Sequence, residues 1–97
     1  MENLIGKKFY ANMQDGIVFS KGKIYFEENG LVFKASSIPF NTLKIQYKDL
    51  VSIKEQNTLG IIPNGVGVSF GNGQKRVFAV NNRRSVIEFL NSMMSRK

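Results

Sequence analysis

The chain contains no cysteine, no histidine and no tryptophan, and only two prolines among its 97 residues. Without cysteine there can be no disulfide, no thiolate zinc site and no thiol nucleophile. Without histidine the usual general base near neutral pH is missing. Acids are scarce as well: seven Asp/Glu stand against fourteen Lys/Arg, a net charge of +7. Glu27 and Glu28 are adjacent on an expected hairpin and point to opposite faces, so they form no catalytic pair. Asp15, Asp49, Glu55 and Glu88 are scattered, with no ligand spacing for a metal. Gly65-Val66-Gly67 and Gly71-Asn72-Gly73 precede no helical pattern, as a nucleotide loop would have to. No catalytic residue, metal or cofactor is therefore expected, and no enzyme. Nor does any run approach the ~20 apolar residues of a membrane-spanning helix. Residues 1–8 carry their lysines after a very short apolar pair, the wrong order for a secretory signal. The expected location is the cytoplasm, with peripheral contact to the inner face of a membrane left open.

What the chain does have is a hydrophobic fraction of 42% and a core rich in phenylalanine, with eight Phe and three Tyr. At this length one domain over residues 1–97 is expected, burying about 65% of its unfolded surface. Two β-rich runs, 23–27 and 31–35, flank Asn29-Gly30, a dipeptide suited to a tight hairpin because both residues tolerate positive φ. Asp15-Gly16 marks an earlier turn, followed by a short strand from Ile17 to Phe19. Ser20-Lys21-Gly22 reads as a second tight connection. Residues 1–10 fit either a short helix or a first edge strand.

Further strands are expected at 42–47, at 51–55 with Val51 and Ile53 inward, at 66–70 and at 75–80. A loop around Pro39 and a longer connection over 56–64 separate them. After Asn81-Asn82 the period changes. Val86, Ile87, Leu90, Met93 and Met94 fall on one helical face, with Phe89 at its margin. Asn82 is a candidate N-cap, and Arg96-Lys97 suit the negative end of the helix dipole. About seven short antiparallel strands and one amphipathic helix predict a mainly β protein, a split barrel capped by the helix.

The spaced residues Gly22-x-Ile24-Tyr25-Phe26, Asn29-Gly30-Leu31-Val32-Phe33 and Ile45-x-Tyr47-x-Asp49-Leu50-x-x-Ile53, then a glycine turn before Phe78 and a terminal helix, resemble the GRAM domains. These belong to the pleckstrin-homology-like superfold, and the resemblance covers roughly residues 16–94. It implies a seven-stranded barrel capped by a C-terminal helix and used to bind membranes or proteins. Glu27 stands where the family commonly has Thr. In phosphoinositide-binding pleckstrin-homology domains, basic residues in the region matching Lys21 and Lys23 grip phosphates. Tyr25 stands where that pattern has a further basic residue, and two solvated lysines at a hairpin end are the plainer reading.

Arg83 and Arg84 fall in the first helical turn, where each cation opposes the dipole at a cost of roughly 0.3–1 kcal/mol. Two guanidiniums beside unpaired helix N–H groups suit a phosphate or carboxylate. Neutralisation by a nearby acid, or simple solvation, is the alternative. Leu59, Ile61 and Ile62, in the glycine- and proline-containing 58–63 loop, are candidates for apolar contact with a bilayer or protein if exposed. Folding back over the core is the plainer reading of them.

The expected function is a non-catalytic binding module recognising an anionic membrane surface or phospholipid headgroups. The alternative is protein interaction or self-association, through barrel edge strands or the 58–63 loop. Nucleic acid ranks third: Tyr25, Tyr47, Lys23 and Lys34 interleave ring and charge, but no nucleic-acid motif accompanies them.

Overall fold

Alternating apolar residues, interrupted at Gly16 and again at Gly71-Asn72-Gly73, keep most of this chain extended, and both breaks are turns with glycines at positive φ. The computed structural model describes residues 2–16, 18–36, 42–58 and 62–95. Among these residues are seven strands and one α-helix: β1 (Lys8–Asp15), β2 (Val18–Phe26), β3 (Gly30–Ala35), β4 (Thr42–Gln46), β5 (Leu50–Thr58), β6 (Ile62–Phe70), β7 (Gln74–Ala79) and α1 (Arg83–Met94). A 3-10 turn, Tyr47–Asp49, joins β4 to β5.

The strands pair antiparallel in the order β4-β3-β2-β1-β7-β6-β5, one sheet whose ends are β4 and β5. Its inner face supplies Ile24, Phe26, Leu31, Phe33, Ile45, Val66, Val68 and Phe78, all buried. Phe33 on β3 and Phe78 on β7 lie 5.8 Å apart, ring centre to ring centre, although β2 and β1 separate their strands in the sheet. The sheet is therefore folded over on itself as a split barrel. Helix α1 closes one end: Phe89 meets Phe26 at 5.4 Å and Tyr47 at 5.8 Å, both edge-on. The expected architecture is the observed one.

Several local expectations are corrected. Residues 8–15 are a central strand between β2 and β7, neither a helix nor an edge. Ser20-Lys21-Gly22 is no turn but the middle of β2, paired residue for residue with β1. Gly22 is there because β3 comes close: a Cβ would meet the Lys34 carbonyl oxygen, the Phe33 ring and the Ala35 Cα. The β2–β3 hairpin turns one residue earlier than expected. The Glu27 N–H donates to the Gly30 carbonyl at 2.9 Å, so Glu28 and Asn29 occupy the corner.

A register shift between Leu50 and Ser52 puts Leu50 in the core and leaves Val51 63% exposed, the reverse of the expected inward Val51. The 56–64 connection is mostly strand, since β5 runs to Thr58 and β6 starts at Ile62. Phe89 is at the centre of the helix face, 2% exposed, not at its margin. Asn82 does hold the N-cap position, but its side chain makes no capping hydrogen bond. The expectations for Ile17, the Pro39 loop, Leu59, Ile61 and Arg96-Lys97 fall outside the described residues.

Candidate functional site: a lysine-rich outer sheet face

In a strand, alternate side chains share a face, and directly paired residues share it across strands. The register therefore assembles the outer face row by row. Lys8 pairs with Tyr25, Tyr25 with Val32, and Val32 with Lys44. The next row runs Tyr10, Lys23, Lys34, Thr42. Lys21 follows opposite Asn12, and Phe19 opposite Gln14. Five lysines, Lys8, Lys21, Lys23, Lys34 and Lys44, thus stand on the outer face of β1–β4, and no acid does.

The acids are elsewhere. Asp15 faces inward to Arg76 at 3.5 Å. Glu55 pairs with Arg83 at 3.3 Å, Glu2 with Lys7 at 2.5 Å, Glu27 closes the β2–β3 turn, and Glu28 sits at its corner. The Lys7 ammonium, through its hydrogen bond and charge, holds the Glu2 carboxyl below its ordinary range, and Ser85 adds a smaller effect.

Lys23 and Lys34 are directly opposite one another, a like-charge pairing that a sheet ordinarily avoids. Rings relieve it. The Lys23 ammonium lies 5.1 Å from the centre of the Tyr10 ring, and the Lys34 ammonium 5.1 Å from that of Tyr25. Each exposed cation–π contact contributes about 0.5–1 kcal/mol, comparable to the repulsion it offsets. Two of the five ammoniums on this face thus lie over rings.

Of the residues singled out from sequence, Lys21 and Lys23 are brought together on this face, as strand residues and not as a turn. Arg83 is held away from it: its guanidinium pairs with Glu55 and also donates to the Gln56 carbonyl at 3.3 Å. Arg84 is exposed at the start of α1. Ile62 is 40% exposed on β6. Lys34, grouped with Lys23 from sequence only under the nucleic-acid reading, joins Lys21 and Lys23 on this face, and Lys8 and Lys44 were missed as partners. Their signal was the alternation within 8–14, 19–25 and 32–46, which becomes a face only once the pairing register is known.

At one end of the barrel, Arg76 and Asp15 share an opening with Met13, Thr42 and Leu43. The Arg76 Nε is buried without a hydrogen-bond partner among the described residues. At the other end the Tyr47 hydroxyl donates to the Glu27 carbonyl at 2.7 Å. Burial pushes that phenol well above its ordinary range, and the nearby Glu27 charge adds to the effect. Among the described residues no group of three or more acids gathers as metal ligands would.

An open seven-stranded sheet folded into a split barrel and closed by one helix is the architecture of the pleckstrin-homology-like superfold. The family model of the GRAM domain matches residues 1–97, the whole chain. The chain belongs to the GRAM domain family. GRAM domains are generally membrane- or lipid-associated binding modules rather than catalysts. Among curated proteins, no sequence matches this GRAM chain. It is similar in structure to the C-terminal domain of an unknown protein from Leishmania infantum, solved as a crystal structure. The TM-score is 0.80 at 14% identity, over 94% of this chain and 84% of that one. At that identity the likeness concerns the fold alone. Among the described residues no helix is long and apolar enough to cross a membrane.

Proposed function

We propose that this GRAM chain is a single, non-catalytic domain that docks on anionic membrane surfaces through the outer face of β1–β4, working at the cytoplasmic side of the bilayer. The observation that carries the reading is the five lysines aligned there by the strand register without one acid among them. Each lysine near an anionic bilayer contributes about 1 kcal/mol. Five give about 5 kcal/mol, a dissociation constant of order 0.1 mM. Exposed apolar side chains at the adjoining rim, Val18 at 60% and Phe19 at 53%, supply further affinity by entering the headgroup layer. Arg84 is a candidate for the edge of the same field, whereas Arg83 is already engaged by Glu55.

Membrane is preferred to nucleic acid because the rings on this face are already capped. An ammonium lies over Tyr10 and another over Tyr25, where a base would have to stack. Protein interaction remains the second reading, favoured by the unpaired outer edges of β4 and β5 at the ends of the sheet.

Co-sedimentation tests this. Vesicles of phosphatidylcholine, with and without phosphatidylserine, are compared at low and near-physiological salt. Binding only to the anionic vesicles, weakening with salt, is expected. A Lys34→Gln/Lys44→Gln double variant should bind about thirtyfold more weakly, the equivalent of two lysine contacts. Equal binding by that variant, or capture of a single-stranded oligonucleotide with vesicles ignored, would overturn the proposal.

A further inference from the structure

The lysine face does not run smoothly into β6. Beside Ala79, at the end of β7, Thr58 and Ile62 of β5 and β6 border a groove whose other side is formed by β1 and β2. One half of the groove, about 420 Å³, lies between Phe19 and Ile62 over Ala79. The other half, about 460 Å³, is bordered by Tyr10, Ser36 and Asn81. Asn12, Lys21 and Asn64 stand where the halves meet and line both. Each half falls in the range of ~300–1,000 Å³ typical of small-ligand sites.

Three features define what this groove takes. The first is its division: an aromatic and an aliphatic wall at one end, hydroxyls and amides at the other. The second is charge. Among the described lining residues Lys21 is the one charged side chain, and none is an acid. The third is donor supply at the junction. The Thr58 hydroxyl donates to the Asn64 side-chain carbonyl at 2.5 Å, which directs that amide's N–H groups away from Thr58. The Gln14 amide is spent on the Gly16 carbonyl at 2.9 Å, so it does not compete for an anion at the junction. An open groove with Phe19 and Ile62 as apolar walls and an ammonium and amide donors beside them matches a molecule with an alkyl tail and an anionic head.

We infer that this groove binds one single-chain anionic amphiphile, with its phosphate or carboxylate at Lys21, Asn12 and Asn64 and its alkyl chain between Phe19 and Ile62. The inference deepens the membrane reading and rests on it for the source of the ligand, a lipid drawn from the surface on which the neighbouring lysines dock. It adds a discrete, saturable site to a diffuse electrostatic face.

Hexyl, octyl and decyl phosphate, each below its micelle concentration, are titrated into the intact chain by calorimetry, with amide chemical shifts followed in parallel. Saturable one-to-one binding is expected, with affinity rising up to about fourfold per methylene until the apolar half is filled. Shifts should centre on Asn12, Lys21, Asn64 and Ala79. Inorganic phosphate supplies the head without the tail, and decyl maltoside the tail without the charge; both should bind at least tenfold more weakly than decyl phosphate. Phe19→Ala removes an exposed wall without touching the core and should weaken decyl phosphate about tenfold, and Lys21→Gln should weaken it similarly.

Lys34→Gln/Lys44→Gln should leave decyl phosphate binding unchanged while it weakens vesicle binding. That contrast separates the two proposals. Vesicle binding with no saturable alkyl phosphate binding overturns the groove and leaves the face; the opposite result overturns the face and leaves the groove. Equal affinity for inorganic phosphate or for decyl maltoside, or no response to Phe19→Ala, would also refute the groove site.

Discussion

Phe89→Ala should be among the most destabilising single changes in this protein. The ring is 2% exposed and meets two others edge-on, Phe26 at 5.4 Å and Tyr47 at 5.8 Å. Those partners come from the end of β2 and from the turn entering β5, so the residue fastens α1 to the sheet at two places far apart in sequence. Truncating a buried phenylalanine costs about 3–5 kcal/mol, because the transfer energy is lost and the cavity collapses only partly. A chain of this length has a total stability of about 5–15 kcal/mol. The change therefore removes between a fifth and nearly all of it.

In urea, with a slope of about 2 kcal/mol/M, the unfolding midpoint should fall by roughly 2 M at unchanged slope. Circular dichroism in the amide region is the assay, since the chain has no tryptophan to report. Met94→Ala, on the partly buried side of the same helix, should cost clearly less. If Phe89→Ala costs under about 1 kcal/mol, or Met94→Ala costs more, the placement of Phe89 at the helix–sheet contact is wrong.

Other consequences are open to equally direct measurement. A chain shortened to end near Ser85 loses Val86, Phe89 and Leu90 together and should be insoluble; a soluble, cooperatively melting product would refute the capping role of α1. Gly22→Ala forces a Cβ against the Lys34 carbonyl and should cost about 1–3 kcal/mol, the usual penalty of overpacking, read as a lower melting temperature. A melt like that of the parent would mean β2 and β3 are further apart than described. Tyr47→Phe should cost about 1 kcal/mol at neutral pH by removing the bond to the Glu27 carbonyl. Because the folded state raises this phenol's pKa, its contribution is full below about pH 10 and declines as pH rises further, where the unfolded chain ionises first. Urea unfolding between pH 9 and 11 should accordingly show a shallower alkaline loss in Tyr47→Phe than in the parent. Arg84→Glu exchanges a cation for an anion in a first helical turn that holds no acid, and should raise stability by about 0.3–1 kcal/mol in thermal melts at low salt.

Period and punctuation were legible in the sequence. Alternation marked β3, β4 and β7 nearly to their ends and the second half of β6, and the glycines at 16, 71 and 73 turned the chain where a positive φ was required. The change of period after Asn82 located α1. The family resemblance was carried by the same spaced residues, and the want of histidine, cysteine and clustered acids spoke against catalysis without any structure. These are local properties, written in neighbouring residues.

Tertiary structure decided whatever depends on which strand lies beside which. Gly22 reads locally as a turn, and only the approach of β3 explains it as the one residue that fits in the middle of β2. The bulge at Leu50–Ser52 exchanged Val51 for Leu50 in the core, and the rotation of α1 against Phe26 and Tyr47 moved Phe89 from the rim of its face to the centre. Above all, Lys8, Lys21, Lys23, Lys34 and Lys44 are separated by up to 36 positions in sequence, and no local pattern unites them. A slip of one residue in any pairing would turn a whole strand's lysines to the other side. Their common face is fixed by the buried phenylalanines on the opposite side of the sheet, because the register that packs the core also sets the position of every charge outside it.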